Sequence, residues 1–209
     1  MEARAVTRAR GHHGHDRCGH HHDLEGFIGR QLAPGRDRWQ QRRRVLKALG
    51  VRRGSVVADI GAGPGFFTLA LARAVGPRGH VYAVDPDPQI LDVLRGRLAK
   101  AGIRNVSPVL GRGDDPHVPP GTCDVVLIVD TYHHFPDGPE FLRRAARALR
   151  PGGRLANVDF QKRETPVGPP VDRRVAREDF VRDARRAGLA VVAEHDFLPY
   201  QYFVVLRPR

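Results

Sequence analysis

Lysine is almost absent from this chain. Of 35 basic residues only Lys47, Lys100 and Lys162 are lysine, and the rest are arginine. Cysteine is as sparse: Cys18 stands in a polar N-terminal stretch and Cys123 in an apolar run, so no disulfide framework is built. No apolar run reaches the length of a membrane span, and the N-terminus lacks the apolar core of a secretory signal. These absences make a soluble cytoplasmic protein the expectation. None of the three lysines follows a tyrosine at Tyr-x-x-x-Lys spacing, which removes the short-chain dehydrogenases. No Gly-Lys-Ser/Thr follows a glycine loop, which removes the P-loop nucleotidases. The net charge of +12 would ordinarily point to nucleic acid. However, the arginines are scattered in pairs along the polar faces of expected helices. Together with abundant Ala, Gly and Pro they read as a GC-rich coding bias on solvated faces.

What is present starts at residue 56 with VVADIGAGPGFF. Val56, Val57, Ala58 and Ile60 have the continuous apolar character of a strand buried on both faces. Asp59 lies near its end, Gly61, Gly63 and Gly65 follow at alternate positions, and an apolar helix begins after them. A glycine turn between strand and helix lets backbone approach a ligand and leaves N–H groups at the helix start. The dinucleotide fingerprint needs its third glycine where this chain has Phe66, which would crowd a diphosphate.

The remainder alternates strand and helix. Strands are expected at 55–60, 80–84, 105–110, 123–130 and 153–160, with helices at 65–75, 87–101 and 138–149. Such alternation implies a parallel sheet with right-handed crossovers. A helix at 176–187, a strand Leu189 to Phe197, a break at Leu198-Pro199-Tyr200 and a strand Gln201 to Leu206 follow. Two strands that close must pair as an antiparallel hairpin. Ahead of the alternation, Trp39 to Leu49 reads as a basic amphipathic segment. Residues 1–35 read as a His/Arg-rich tail without regular structure, and 36–209 as the folded domain.

The acidic strand end with Gly61-x-Gly63-x-Gly65 resembles the first motif of the class I S-adenosyl-L-methionine (SAM)-dependent methyltransferases. The order of later elements resembles that family too. Gly121-Thr-Cys-Asp124 opens the fourth strand and Arg150-Pro-Gly-Gly153 resembles the turn before the fifth, a turn read as structural. The resemblance spans about residues 36 to 209. It implies an α/β, doubly wound, mostly parallel seven-stranded Rossmann-like sheet ending in an antiparallel hairpin, with SAM as cofactor. It also implies roles. Asp59, Gly61, Gly63 and Gly65 would line the cofactor. Asp85, at the end of the second strand, would accept the ribose hydroxyls, although alone it could equally cap the next helix. Asp114 or Asp115 would accept the adenine amino group, or else form only an Asp-Pro turn.

After the fourth strand comes Asp130-Thr131-Tyr132-His133-His134-Phe135. In the family this loop meets the acceptor, so Asp130, Tyr132, His133 and His134 are the catalytic candidates. A histidine can deprotonate an acceptor near neutral pH. Two adjacent histidines need not both act, and one can brace the loop. The family reading implies a small-molecule methyl acceptor, with a nucleic-acid acceptor or a non-enzymatic SAM- or metal-binding regulator as alternatives. His12, His13, His15, Cys18, His20, His21 and His22 form either an opportunistic metal-binding tail or an idle one.

Overall fold

The apolar strands settle the architecture. In the computed structural model, which describes residues 23–209, they form one seven-stranded sheet. Its strands are β1 (Val56–Ile60), β2 (His80–Asp85), β3 (Val106–Leu110), β4 (Cys123–Val129), β5 (Leu149–Phe160), β6 (Leu189–His195) and β7 (Gln201–Pro208). Their order across the sheet is β3-β2-β1-β4-β5-β7-β6. The first five strands are parallel neighbours, while β7 runs antiparallel to both β5 and β6. The expected doubly wound sheet with a terminal antiparallel hairpin is therefore present. The hairpin is placed in an unforeseen way: the last strand inserts between β5 and β6, and β6 forms the edge.

Seven helices connect and cover the strands among the described residues: α1 (Leu24–Gln31), α2 (Arg36–Gln40), α3 (Arg42–Ala48), α4 (Thr68–Val75), α5 (Pro88–Lys100), α6 (Gly138–Ala146) and α7 (Arg177–Arg186). Alternate residues of β4 feed opposite faces. Val126 and Ile128 pack with Phe141, Leu142 and Phe180 of α6 and α7. Val125, Leu127 and Val129 pack with Val45, Leu71 and Phe203 on the other face. That two-sided burial is why the central strands read as apolar runs rather than as alternation. Asp87 caps α5 by accepting from Gln89 N, with Pro88 in the first turn, so the capping role considered for Asp85 belongs to Asp87.

Three expectations need correction. The basic segment 39–49 is not one helix, because Gln41 takes a left-handed conformation (φ 44°) and separates α2 from α3. β5 starts at Leu149 rather than 153. Leu149 pairs with Cys123 across a register shift, so the Pro-Gly-Gly turn is drawn into the strand. Residues 24–31 lie in the stretch expected to be an unstructured tail, yet they form α1, capped by Asp23, which accepts from Gly26 N. The histidine-rich run at 12–22 lies outside the described residues.

Candidate active site

The crevice forms where neighbouring strands send their connections to opposite sides, between β1 and β4, at the carboxyl ends of the sheet. A cavity of about 300 Å³ opens there. One end is built by the glycine loop. Gly61 N and Ala62 N both donate to Val84 O at 2.9 Å, which fastens the loop to the end of β2. Gly61 sits at φ 72°, and a side chain on it would strike Thr131, so this glycine lets the β1 and β4 loops touch. Gly63 differs: a Cβ there would meet nothing within 4 Å, and the residue lines the cavity.

Two carboxylates flank this loop. Asp59 is 2 % exposed and accepts from Thr68 Oγ1 at 2.6 Å. Burial pushes its carboxyl up to about 6, against the Thr68 hydrogen bond. Asp85 accepts from Gly63 N at 2.9 Å with one oxygen and from Asp87 N at 3.0 Å with the other. It therefore shapes the loop as well as lining the cavity.

The opposite wall comes from the β4 loop. Asp130 adopts φ 51°, a left-handed conformation uncommon outside glycine. Its carboxylate accepts from Gln40 Nε2 at 2.8 Å, Gln201 Nε2 at 2.5 Å and Arg36 Nη2 at 3.4 Å. Burial raises its carboxyl to about 6; Arg36 opposes the rise and Asp159 adds to it. His134 lines the cavity beside Phe135. His133 turns inward, with Nδ1 3.3 Å from Asp159 Oδ2, a pair in which both side chains are buried. Burial acts against the imidazolium, but the Asp159 hydrogen bond and charge outweigh it and hold His133 above its ordinary value. The two imidazole rings lie 4.2 Å apart.

The remaining candidates lie elsewhere. Tyr132 points into the core, edge-on to Phe180 at 4.8 Å, and donates to Asp183 Oδ2 at 3.1 Å. Asp114 pairs with Arg144 on the surface at 2.9 Å. Asp115 accepts from His117 N at 2.7 Å. The cavity wall at that loop is Gly111, Arg112, Gly113 and Pro116 rather than either carboxylate. Conversely, the structure adds Phe27, Gln31 and Arg36 from the N-terminal helices, Gln40 and Gln201 behind Asp130, and Asp159 behind His133. Asp159 could have been found from its place at the carboxyl end of a strand. Leu24, Phe27, Ile28 and Leu32, at helical spacing after a capping Asp23, could have revealed α1.

Residues 57–153 match the family described as "Methyltransferase domain". A crystal structure of a SAM dependent methyltransferase from Aquifex aeolicus superposes with a TM-score of 0.82 at 27 % identity, covering 86 % of this chain and 95 % of that one. The chain is similar to the class I SAM-dependent methyltransferases. Among curated relatives, the demethylmenaquinone methyltransferase of Listeria monocytogenes is 30 % identical over 125 residues, covering 60 % of this chain and 53 % of that protein. The nocamycin O-methyltransferase of Saccharothrix syringae is 36 % identical over 128 residues, covering 61 % and 44 %. The chain thus spans about half the length of those two relatives.

SAM is the cofactor of this family, and the residues present suit it. Gly63 leaves a cradle that any Cβ would fill. The carboxylates of Asp59 and Asp85 face the same cavity, offering acceptors for an ammonium group and for vicinal hydroxyls. Among the described residues no group of His, Cys, Asp and Glu could hold a metal ion, and no helix is long and apolar enough to cross a membrane.

Proposed function

We propose that this methyltransferase transfers the methyl group of SAM to a small, largely apolar acceptor. One observation carries the reading. One cavity is lined both by the polar cradle of Asp59, Gly63 and Asp85 and by the aromatic side chains of Phe27, Phe135 and Phe141, with His134 on the wall as well. Small-molecule sites share that make-up, an apolar enclosure with a few converging polar groups.

When bound, the cofactor supplies a methyl group already activated on a sulfonium, so the protein's contribution is chiefly alignment and exclusion of water. Asp59 and Asp85 hold the polar end, and Asp85 also holds Gly63 N–H in place. Phe27, Phe135 and Phe141 supply apolar surface in the same cavity, which suits a largely apolar ring. His134 stands at the wall, where its imidazole can accept a proton from an acceptor hydroxyl or acidic carbon. His133, anchored on Asp159, braces the loop that carries His134. Asp130 secures the N-terminal helices through Arg36 and Gln40 rather than acting on the proton itself. Tyr132 and the pair Asp114 and Asp115 take no part in this reading.

The two curated relatives are named for demethylmenaquinone and for nocamycin, both small molecules, and that supports a small acceptor here. Transfer of labelled methyl from SAM to a panel of quinols and phenols, with structured RNA and duplex DNA alongside, tests the reading. Labelling of at least one small ring acceptor and none of the nucleic acids is expected. Labelling of nucleic acid alone would replace it.

A further inference from the structure

His133 and His134 are adjacent in the chain, yet their surroundings differ sharply. The His133 side chain is 8 % exposed and that of Asp159 is fully buried, whereas His134 is exposed on the cavity wall. Asp159 accepts from Phe160 N at 2.8 Å with Oδ1, and its Oδ2 stands 3.3 Å from His133 Nδ1. A carboxylate taken out of water and bonded to an imidazole favours the imidazolium, because the bond is then charge-assisted. The other groups around this pair come from separate elements. Asp130, after β4, favours the His133 proton, and Arg174, after the 310 turn Val171–Arg173, opposes it. Arg174 is occupied with carbonyls: Nε donates to Pro169 O at 2.8 Å, and Nη1 to Gln161 O at 3.1 Å and Arg163 O at 2.6 Å. Tyr202 lies opposite Asp159 in the β5–β7 register, and burial keeps its phenol protonated and uncharged. Burial also disfavours a charged His133, but the two carboxylates outweigh it together with Arg174.

The cation so held stands against the neighbouring ring. The two imidazole centroids are 4.2 Å apart, with the planes tilted by 41°. At that separation one positive charge discourages a second, even with the water-like screening of an exposed ring. Resting on the reading of His134 as the proton acceptor, we propose that Asp159 and His133 are positioning residues for it: the pair stores one positive charge against the His134 ring, so that His134 stays uncharged and able to take a proton. The 310 turn Tyr132–His134 makes this arrangement, since it sends one of two adjacent imidazoles to β5 and the other to the cavity.

The test is an NMR titration of the imidazole groups in the full chain, with neither cofactor nor acceptor present. In the unaltered protein His134 should lose its proton first and His133 at higher pH, in two separate steps. His133→Gln, polar and uncharged, should raise the His134 midpoint by about 0.5–1 pH unit. Asp159→Asn keeps the shape and an acceptor oxygen but not the charge, and should lower the His133 midpoint by about 1–3 units. The order of the two steps needs only the unaltered protein, so it decides the matter even if a thermal melt shows a variant unfolded. Loss of the His133 proton before that of His134 overturns the proposal. So does an unmoved His134 midpoint in folded His133→Gln, the outcome if His133 only braces the loop, or an unmoved His133 midpoint in folded Asp159→Asn. Methyl transfer plays no part in the titration, so failure of the labelling screen above overturns the acceptor reading alone.

Discussion

Replacing Gly61 by Ala should be among the most damaging single-methyl changes in this protein, and the structure divides its cost in two. The residue sits at φ 72°, where an L side chain loses about 1–2 kcal/mol relative to glycine. The added Cβ would also stand 2.1 Å from Thr131 Oγ1, 2.6 Å from its Cγ2 and 2.8 Å from its Cβ. Thr131 cannot rotate away cheaply, because its hydroxyl donates to Val129 O at 2.8 Å and rotation would break that bond. Overpacking of this kind costs about 1–3 kcal/mol, so Gly61→Ala should lose roughly 2–5 kcal/mol in all. The second component is separable. Thr131→Ala leaves the 2.8 Å Cβ contact and should rescue little, whereas Thr131→Gly removes all three clashing atoms and should recover about 1–3 kcal/mol in a double-mutant cycle. Urea unfolding of the unaltered chain, Gly61→Ala, Thr131→Gly and the double variant, checked for coincident transitions by two probes, measures this. An equal cost of Gly61→Ala with Thr131 intact and after Thr131→Gly would refute the steric argument. Gly63→Ala is the control. With nothing within 4 Å it should lose only the conformational part, about 1–2 kcal/mol, yet weaken S-adenosylhomocysteine binding because its Cβ enters the cavity.

Asp85→Ala removes an acceptor from the cavity and from Gly63 N–H, so cofactor binding should weaken by about 1.5–3 kcal/mol by calorimetry. Tyr132→Phe should cost about 0.5–1.5 kcal/mol of stability with turnover unchanged, since its hydroxyl serves Asp183 in the core. Deleting residues 1–22 should leave cofactor affinity intact, whereas deletion through residue 31 removes Phe27 and Gln31 from the cavity wall and should weaken it in the same titration. Asp59 ionises at about 6 in the folded chain against an ordinary value of 3.8, so the folded state keeps the extra proton between these values. Stability is therefore fully present below about pH 4 and falls as pH rises through about 6, by on the order of 2–3 kcal/mol for this group. Asp130 adds a fall of the same sign, so urea midpoints for Asp59→Asn should show a shallower decline across that window, and an unchanged slope would contradict the assignment.

The fold was legible in one dimension because its signals are local. Strands β1 and β4 are buried on both faces, so Val56 to Ile60 and Cys123 to Val129 had to be largely apolar runs whatever their neighbours. Glycines at 61, 63 and 65 announce a turn because their φ values of 72°, 54° and 89° suit no other residue well. The antiparallel close followed from Leu198-Pro199-Tyr200, too short for any crossover. Asp59 and Asp85 stood out for the same reason, as carboxylates at the ends of buried strands, and both line the cavity.

What the chain order does not carry is who meets whom across it. Asp130 is served by Gln40, ninety positions earlier, and Gln201, seventy-one later, and no spacing rule joins such residues. Two adjacent histidines look equivalent until a 310 turn over Tyr132–His134 sends one to the cavity and the other to Asp159. Nor does the loop after β3 announce the partners of its two carboxylates, Arg144 for Asp114 and the His117 N–H for Asp115. Burial explains the division. Strand, turn and glycine chemistry are imposed by backbone sterics within a few residues, and so are written locally. The partner of a buried charge is chosen by whichever helix packs over it, and only the assembled sheet decides that α1 and α2 close over the β1–β4 crevice and bring Arg36 to it.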